Sequence, residues 1–348
     1  MSPLHLTGRR QFLSFAVGGA AAFALPGTRA ADEPATQGLG VAEPLHWRER
    51  ILLGFGTTLW LRAAHANATR ADTALTAAVA AIRRIEAQMS LFDPHSALSR
   101  LNRDGVLHDP PPELLAVLRL ARNVASRSDG AFDVTVQPLM AAWQLAQRAG
   151  RAASATELRR AQALVGWRHV ELTQQRVRLR QPGMALTLNG IAQGYAADSA
   201  KAALRQHGVK HALLDTGEWA ALGQAPDAQP WMLGVADPRG NAAAPLLARL
   251  RDDGRAIATS SDAHTTYSAD RRDHHIIDPR SARSPRELAS VTVVAPSCAL
   301  ADALTKVVFM AGWQGALPLA RRWGVDVLVV NKAGRWRASA GLALHPLT

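Results

Sequence analysis

The sequence predicts an α+β fold: a single domain with a mixed or antiparallel sheet and packed helices. Hydrophobic residues make up 48% of the 348 residues and charged residues 20%, which is the composition of a globular chain with a large core. Several segments have helical periodicity and several others are short and β-rich. These segments do not alternate regularly, which argues against a parallel α/β fold.

The first 45 residues are expected to lie outside this domain. Arg9 and Arg10 precede an apolar run over residues 12–25 and small residues that end at Ala30, the pattern of a twin-arginine export signal. The run is too short to favour a transmembrane helix, although an uncleaved anchor is the alternative. We therefore expect a folded, cofactor-binding protein of the periplasm. The predicted boundaries are 1–30 for the signal, 31–45 for a flexible leader and 46–348 for the domain.

Helices are predicted from apolar spacing and from caps. A first helix has apolar residues from Leu75 to Met89 behind a cap at Asp72. A capping box from Ser154 to Glu157 opens the third. The second, fourth and fifth helices are expected at 112–126, 196–206 and 300–311, and the last two end at Gly208 and Gly312.

Strands are predicted where β-branched and apolar residues form short runs. The segments 90–105 and 128–143 are interpreted as a polar loop and a buried loop, because turn-forming residues interrupt them. The predicted strands are 57–62, 169–172, 177–179, 212–215, 290–294 and 325–330.

Charge and cysteine content exclude several functions. Lys and Arg number 40 against 28 Asp and Glu, a net charge of +12, but no block of five like charges occurs. Scattered charge of this kind does not predict nucleic-acid binding, although a basic chain suits a phosphorylated ligand. Cys298 is the single cysteine, so an intrachain disulfide and a cysteine zinc cluster are excluded.

Three segments contain residues suited to chemistry. A strand ending at Asn189-Gly190 leads into a helix, which suits a phosphate, although an ordinary strand-to-helix turn has the same pattern. His275 precedes Asp278 by three residues, so the imidazole is a candidate general base or part of a capped turn.

The third segment lies on the fifth predicted helix. Asp302, Thr305 and Lys306 are spaced i, i+3 and i+4 and therefore share one face. A carboxylate beside a hydroxyl suits Mg²⁺. The alternative is an exposed Asp302–Lys306 salt bridge with little effect on stability.

Seven blocks of the chain, in order, resemble the FAD:protein FMN transferases, the ApbE-like flavin transferases. The resemblance extends from about residue 50 to the C-terminus. The matching blocks are Phe55-Gly56-Thr57; Ser90, Phe92, Ser96, Leu98 and Asn102; SDGAFDVTVQPLMAAW; NGIAQGYAAD; PWMLGVADPR; ATSSD with HHIIDPRSARSP; and ADALTKVVFMAG.

The resemblance implies a reaction and a set of site residues. Such enzymes bind FAD and Mg²⁺, cleave the pyrophosphate, and attach FMN to a Thr or Ser hydroxyl of a periplasmic flavoprotein subunit, with release of AMP; an acceptor near the membrane is compatible with this. By the family pattern Gly190, Asp302 and Thr305 would hold the metal, and His275 and Asp302 would be catalytic. The implied FAD-binding residues are Phe55, Phe92, Asn102, Ala131, Phe132, Asp133, Thr187, Gln193, Ile276 and Lys306.

Three positions depart from the family pattern. Lys306 stands where Thr is usual, Thr187 where Asp is usual and Gln193 where Lys is common. Lys306 is then either a clamp for the pyrophosphate or a partner neutralised by Asp302. The departures leave open a non-catalytic FAD-binding carrier of the same fold. LNGIAQGY and DTGEWAALG look closest to the branch associated with nitrous oxide reductase maturation.

Overall fold

The computed structural model describes residues 44–240, 246–263 and 265–345, and the predicted signal and most of the leader lie outside them. The predicted α+β fold is confirmed: helices pack on antiparallel sheets. The helices are α1 (Ala68–Met89), α2 (Ala97–Asp104), α3 (Pro112–Arg127), α4 (Gln137–Arg148), α5 (Ala155–Gln162), α6 (Ala192–Gln206) and α7 (Cys298–Trp323). The strands are β1 (His46–Gly54), β2 (Thr57–His65), β3 (Val106–His108), β4 (Val170–Leu172), β5 (Arg176–Leu179), β6 (His211–Asp215), β7 (Trp219–Leu222), β8 (Met232–Ala236), β9 (Leu246–Arg251), β10 (Ala256–Ser261), β11 (Leu288–Ala295), β12 (Asp326–Asn331), β13 (Trp336–Ala338) and β14 (Leu344–His345).

An eight-stranded sheet in the order β1-β2-β6-β7-β10-β11-β12-β13 organises the domain. One of its faces packs against α1, α6 and α7 in the main hydrophobic core. Its other face packs against β8 and β9 through a second core that includes Trp219 and Trp231. Each paired strand in these sheets runs antiparallel to its neighbour. Helices α6 and α7 lie against the inner strands β7, β10 and β11 of the eight-stranded sheet.

The predicted cap of the first helix was wrong. The helix is capped five residues earlier, where the Asn67 side chain accepts a hydrogen bond from the Arg70 N–H. Asp72 instead binds Arg48 and Arg50 of β1, at 3.2 and 2.7 Å. A carboxylate inside a helix pairs with cations on a neighbouring strand, and the sequence does not reveal that neighbour.

Two predicted loops contain helices. In the segment 90–105, the Ser96 hydroxyl caps α2 by accepting from the Ser99 N–H. In the segment 128–143, Pro138 lies in the first turn of α4, where a missing N–H costs nothing. Ser, Asp and Pro are common both in loops and at helix starts, so composition alone favoured the wrong assignment.

Helix α7 continues past its predicted end. Gly312 has φ +68°, which breaks the helical conformation there, and the chain then resumes a helix to Trp323. The N–H of Trp313 at this kink donates to the Glu287 carboxylate at 2.6 Å. Within the three described ranges, the combination of length and hydropathy that a membrane span requires is not met by any helix.

Candidate functional site

The start of α7 is fixed to α6 by one carboxylate. Asp198 of α6 accepts hydrogen bonds from the N–H groups of Cys298 and Ala299, at 2.8 and 2.9 Å. These are N–H groups that a helix cannot satisfy internally, so Asp198 acts as a second cap beside Ser297. Burial raises the pKa of Asp198, and burial raises the pKa of the Cys298 thiol well above its usual range. The thiol is therefore an inert core group.

Asp302 and Thr305 of α7 are buried, and Lys306 is mostly buried. The Asp302 carboxylate accepts from the Gly194 N–H at 3.4 Å, across the α6–α7 contact. The Thr305 hydroxyl donates to the Asp302 carbonyl at 2.6 Å and lies 2.7 Å from the Ser260 hydroxyl on β10. Helix α7 and the adjacent strand thus provide the oxygen atoms of the site.

Lys306 forms an ion pair with the Asp302 carboxylate, and its ammonium also donates to the Asp302 carbonyl at 3.1 Å. The salt bridge of the alternative interpretation is therefore present, but it is not exposed, since the Asp302 side chain is 1% exposed and that of Lys306 19%. A Cβ at Gly190 would lie 3.0 Å from Lys306 Cε and 3.5 Å from the Phe132 ring. Gly190, Phe132, Asp302 and Lys306 therefore converge in the structure.

A buried carboxyl beside this pair was not among the predicted site residues. Glu218 accepts from the Thr259 N–H at 2.9 Å. Burial raises the pKa of Glu218 well above its usual range, the nearby Asp302 carboxylate raises it further, and Lys306 opposes both. Burial also raises the pKa of Asp215 to about 6. The available signal was the sequence Asp-Thr-Gly-Glu, two acids in a tight turn between two apolar strands.

The start of α6 was predicted to suit a phosphate, but most of its backbone N–H groups already form hydrogen bonds within the protein. The N–H groups of Ile191 and Ala192 both donate to the Leu188 carbonyl, at 3.0 and 2.8 Å, and that of Gly194 faces Asp302. A phosphate bound here would therefore draw its main positive partner from Lys306.

Gln193 holds the first turn of α6 to the turn between β6 and β7. Its amide donates to the Thr216 carbonyl at 3.3 Å, and the Thr216 hydroxyl donates back to the Gln193 carbonyl at 3.2 Å. Gly217 has φ +92°, and a Cβ there would lie 2.6 Å from Gln193 Nε2. Gln193 thus lies beside the Asp302 site, and its contact with FAD stays a prediction.

The segment before α6 is fixed on both sides. The Asn102 side-chain amide exchanges two hydrogen bonds with the backbone of Leu186, at 2.8 and 2.7 Å. The Thr187 N–H donates to the Val134 carbonyl at 2.8 Å, and the Thr187 hydroxyl accepts from the Asn189 N–H. Asn102 and Thr187 therefore position Gly190 through the backbone, and any direct contact of theirs with flavin stays a prediction.

Asp133 orders the loop that presents Phe132. Its carboxylate accepts from the Thr135 N–H and hydroxyl, at 2.9 and 2.7 Å, and from the Trp167 N–H at 2.9 Å. Burial raises the pKa of Asp133, against these hydrogen bonds. Ala131 and Phe132 precede it and are buried in the main core. The contacts make Asp133 a positioning residue.

His275 does not pair with Asp278. The Asp278 carboxylate binds Arg280 with two bonds of 2.9 Å and so stabilises a turn. His275 Nδ1 lies 3.2 Å from the Thr265 carbonyl, which can only accept a hydrogen bond. Because a carbonyl only accepts, this contact favours a proton on Nδ1. Ile276, the next residue, is buried in the main core.

The two remaining aromatic candidates lie in different surroundings. Phe55 occupies the β1–β2 turn with φ +50°, and its N–H donates to Glu86 at 2.6 Å. Phe92 is 70% exposed in the loop before α2. An exposed ring next to a polar loop is a suitable stacking surface, and both flavin contacts stay predictions.

The oxygen atoms near Asp302 do not fit Mg²⁺. This ion requires near-octahedral oxygen ligands, and here the Asp302 carboxylate and carbonyl both bind the Lys306 ammonium. The Thr305 hydroxyl is engaged with Ser260. Within the described ranges no three His, Cys, Asp or Glu side chains gather as a metal site.

The fold and this arrangement define a class of protein. The sequence profile of the ApbE family matches residues 55–329, and the chain belongs to that family. The FAD:protein FMN transferase of Treponema pallidum is 30% identical over 79% of this chain and 82% of its own length. That of Salmonella typhimurium is 29% identical over 71% and 73%.

Solved structures agree with the sequence comparison. The ApbE protein of Thermotoga maritima superposes with a TM-score of 0.77 at 27% identity and covers 85% of this chain and 97% of its own. The flavinyl transferase ApbE of Pseudomonas stutzeri has a TM-score of 0.73 at 26% identity, with coverage of 85% and 94%. The predicted family is confirmed, whereas its nitrous oxide reductase branch stays a prediction.

Proposed function

We propose that this protein is an FAD:protein FMN transferase that moves FMN from FAD to a Thr or Ser hydroxyl of an acceptor flavoprotein and releases AMP. The relatives from Treponema pallidum and Salmonella typhimurium bear that name. The observation that carries the proposal is the convergence of Phe132, Gly190, Asp302 and Lys306 between α6 and α7. It brings an ammonium and an aromatic ring to the same glycine, which suits a flavin joined to a pyrophosphate.

In the proposed reaction the acceptor hydroxyl oxygen attacks the phosphorus atom of the FMN half of FAD. A new phosphorus–oxygen bond to the acceptor forms, and the bond to the bridging oxygen breaks, so that AMP leaves with this oxygen. The hydroxyl proton passes to Nε2 of His275, whose tautomer the Thr265 carbonyl supports. The Lys306 ammonium offsets the charge that develops on the phosphates.

Mg²⁺ is the other cofactor that the family resemblance implies. Its usual contribution would be to polarise the pyrophosphate. The pairing of Lys306 with Asp302 argues against an Mg²⁺ site here, so the steps above use side chains alone. The predicted export signal is the basis on which we propose a periplasmic location and an acceptor in the same compartment.

A second candidate is a carrier that binds FAD and transfers nothing. The Lys306–Asp302 ion pair favours the carrier, because one ammonium stabilises the negative charge on the phosphates less than a divalent ion does. Incubation of the purified protein with FAD and a periplasmic protein fraction from the encoding organism, as the source of acceptor, distinguishes the two. Transfer predicts AMP in the reaction mixture in proportion to acceptor. A carrier predicts bound FAD that is recovered intact.

A further inference from the structure

Lys306 occupies the point at which the predicted metal ligands meet. Its ammonium binds the carboxylate and the carbonyl of Asp302, and its last carbon approaches Gly190. Asp302 and Gly190 are two of the three residues to which the family pattern assigns the metal. The third, Thr305, is adjacent in sequence and bonds to the same Asp302 carbonyl.

We propose that the Lys306 ammonium is the permanent cation of this site, taking the place of a divalent metal ion, and that it binds a phosphate oxygen of the dinucleotide without any metal. The inference rests on the proposed function for the identity of the ligand. The claim that the ammonium takes the place of a metal ion concerns this protein alone and can be tested without FAD.

The number of hydrogen-bond donors on the ammonium supports this role. An ammonium has three N–H groups, and two of them are used by Asp302. Among the described residues no third acceptor contacts Nζ, and the side chain keeps a 19% exposed fraction. The remaining N–H is thus available to an anionic ligand oxygen, with which it would form a charge-assisted hydrogen bond.

The charge around Lys306 explains why a metal ion would not enter beside it. A divalent ion at Asp302 would have to displace the ammonium from its carboxylate or lie against a like charge. Ser260 and Thr305 contribute neutral hydroxyls that bond to each other.

Two variants test the role of the ammonium in the full chain. Lys306→Thr removes the cation and supplies a hydroxyl beside Asp302, so we expect it to create a divalent-ion site. Lys201→Thr is the matched control, since Lys201 is also on a helix and partly buried but donates to the Gly254 carbonyl. Thermal melts of all three proteins check that the variants are folded.

The first measurement is Mn²⁺ binding to FAD-free protein, which electron paramagnetic resonance detects. We expect Mn²⁺ to bind Lys306→Thr but neither the wild type nor Lys201→Thr. Stoichiometric Mn²⁺ binding to the wild type that Asp302→Ala abolishes would overturn the proposal. So would failure of a folded Lys306→Thr to bind Mn²⁺.

The second measurement is FAD affinity, by quenching of flavin fluorescence, in EDTA and in Mg²⁺. The wild type should bind equally in both, whereas Lys306→Thr should lose about tenfold in EDTA and recover in Mg²⁺. A wild-type affinity that requires Mg²⁺ would overturn the proposal. If neither protein binds FAD but the Mn²⁺ result holds, the proposed transferase function fails and the role of Lys306 as resident cation stands.

Discussion

The side-chain amide of Asn102 pairs with the backbone of Leu186, 84 residues further along the chain, through hydrogen bonds of 2.8 and 2.7 Å. The amide donates to the Leu186 carbonyl and accepts from its N–H, as a neighbouring strand would. It thereby fixes the segment that leads to Gly190 and α6. Leu186 is fully buried, so no water can replace this partner.

Asn102→Ala should lower the free energy of unfolding by about 2–4 kcal/mol, because a buried N–H and a buried C=O both lose their partner. Urea denaturation measures this loss. Asn67→Ala is the comparison, since Asn67 only caps α1 and should cost about 1 kcal/mol. Equal losses for the two variants would mean that the Asn102 bonds to Leu186 do not stabilise the fold.

Phe92→Ala should weaken FAD binding by about 1–3 kcal/mol without lowering stability, by analogy with base–aromatic stacking. The ring is 70% exposed, so its removal leaves no cavity. Leu145→Ala is a matched control, because Leu145 is an apolar side chain 63% exposed on α4. Titration of each protein with FAD decides the matter. An unchanged affinity in Phe92→Ala would remove Phe92 from the flavin site.

Asp133→Asn should destabilise the protein by about 1–2 kcal/mol and weaken FAD binding in parallel. The amide keeps one acceptor oxygen, so either the Thr135 groups or the Trp167 N–H lose their partner. Differential scanning calorimetry and FAD titration measure the two effects. Unaltered stability together with unaltered affinity would contradict the positioning role.

His274 should make the free energy of unfolding depend on pH. Burial lowers its pKa to about 3 from the ordinary 6.5, so the folded protein keeps the ring neutral where the unfolded chain takes up a proton. Above pH 6.5 this contribution is fully present. As the pH falls from 6.5 towards 3 it is lost, by up to about 1.4 kcal/mol per pH unit.

The measurement is the pH dependence of urea denaturation for wild type, His274→Gln and the exposed control His95→Gln. The raised pKa of Asp215, about 6, has the opposite effect between pH 3.8 and 6, so the difference between the variants isolates the histidine. We expect a shallower acid slope in His274→Gln alone. Identical slopes in all three proteins would show that His274 is not the group responsible.

The sequence predicted the parts of the fold that local periodicity determines. The helix at 112–126 was correct to within a residue of α3, and the capping box at Ser154 is present at the start of α5. The segments 97–104 and 137–148 were misassigned, because their Ser, Asp and Pro residues are as typical of helix starts as of loops.

Site residues were predictable where a motif brought them together along the chain. Asp302, Thr305 and Lys306 share a helix face, and the structure adds Gly190 and Phe132 to that group. Glu218 was missed because its burial beside Asp302 arises from sheet topology. The predicted His275–Asp278 pair is absent because the Asp278 carboxylate binds Arg280, two residues further along the chain.

The central claim is that this protein attaches flavin covalently to another protein. Its most direct test uses cells of the encoding organism that lack this gene. Their periplasmic and membrane fractions are incubated with FAD and purified protein, denatured, and separated for in-gel flavin fluorescence. We predict a fluorescent band with the wild type and at most a faint one with His275→Ala, which lacks the base that accepts the hydroxyl proton. Intact FAD with no fluorescent band in the wild-type reaction would contradict the claim.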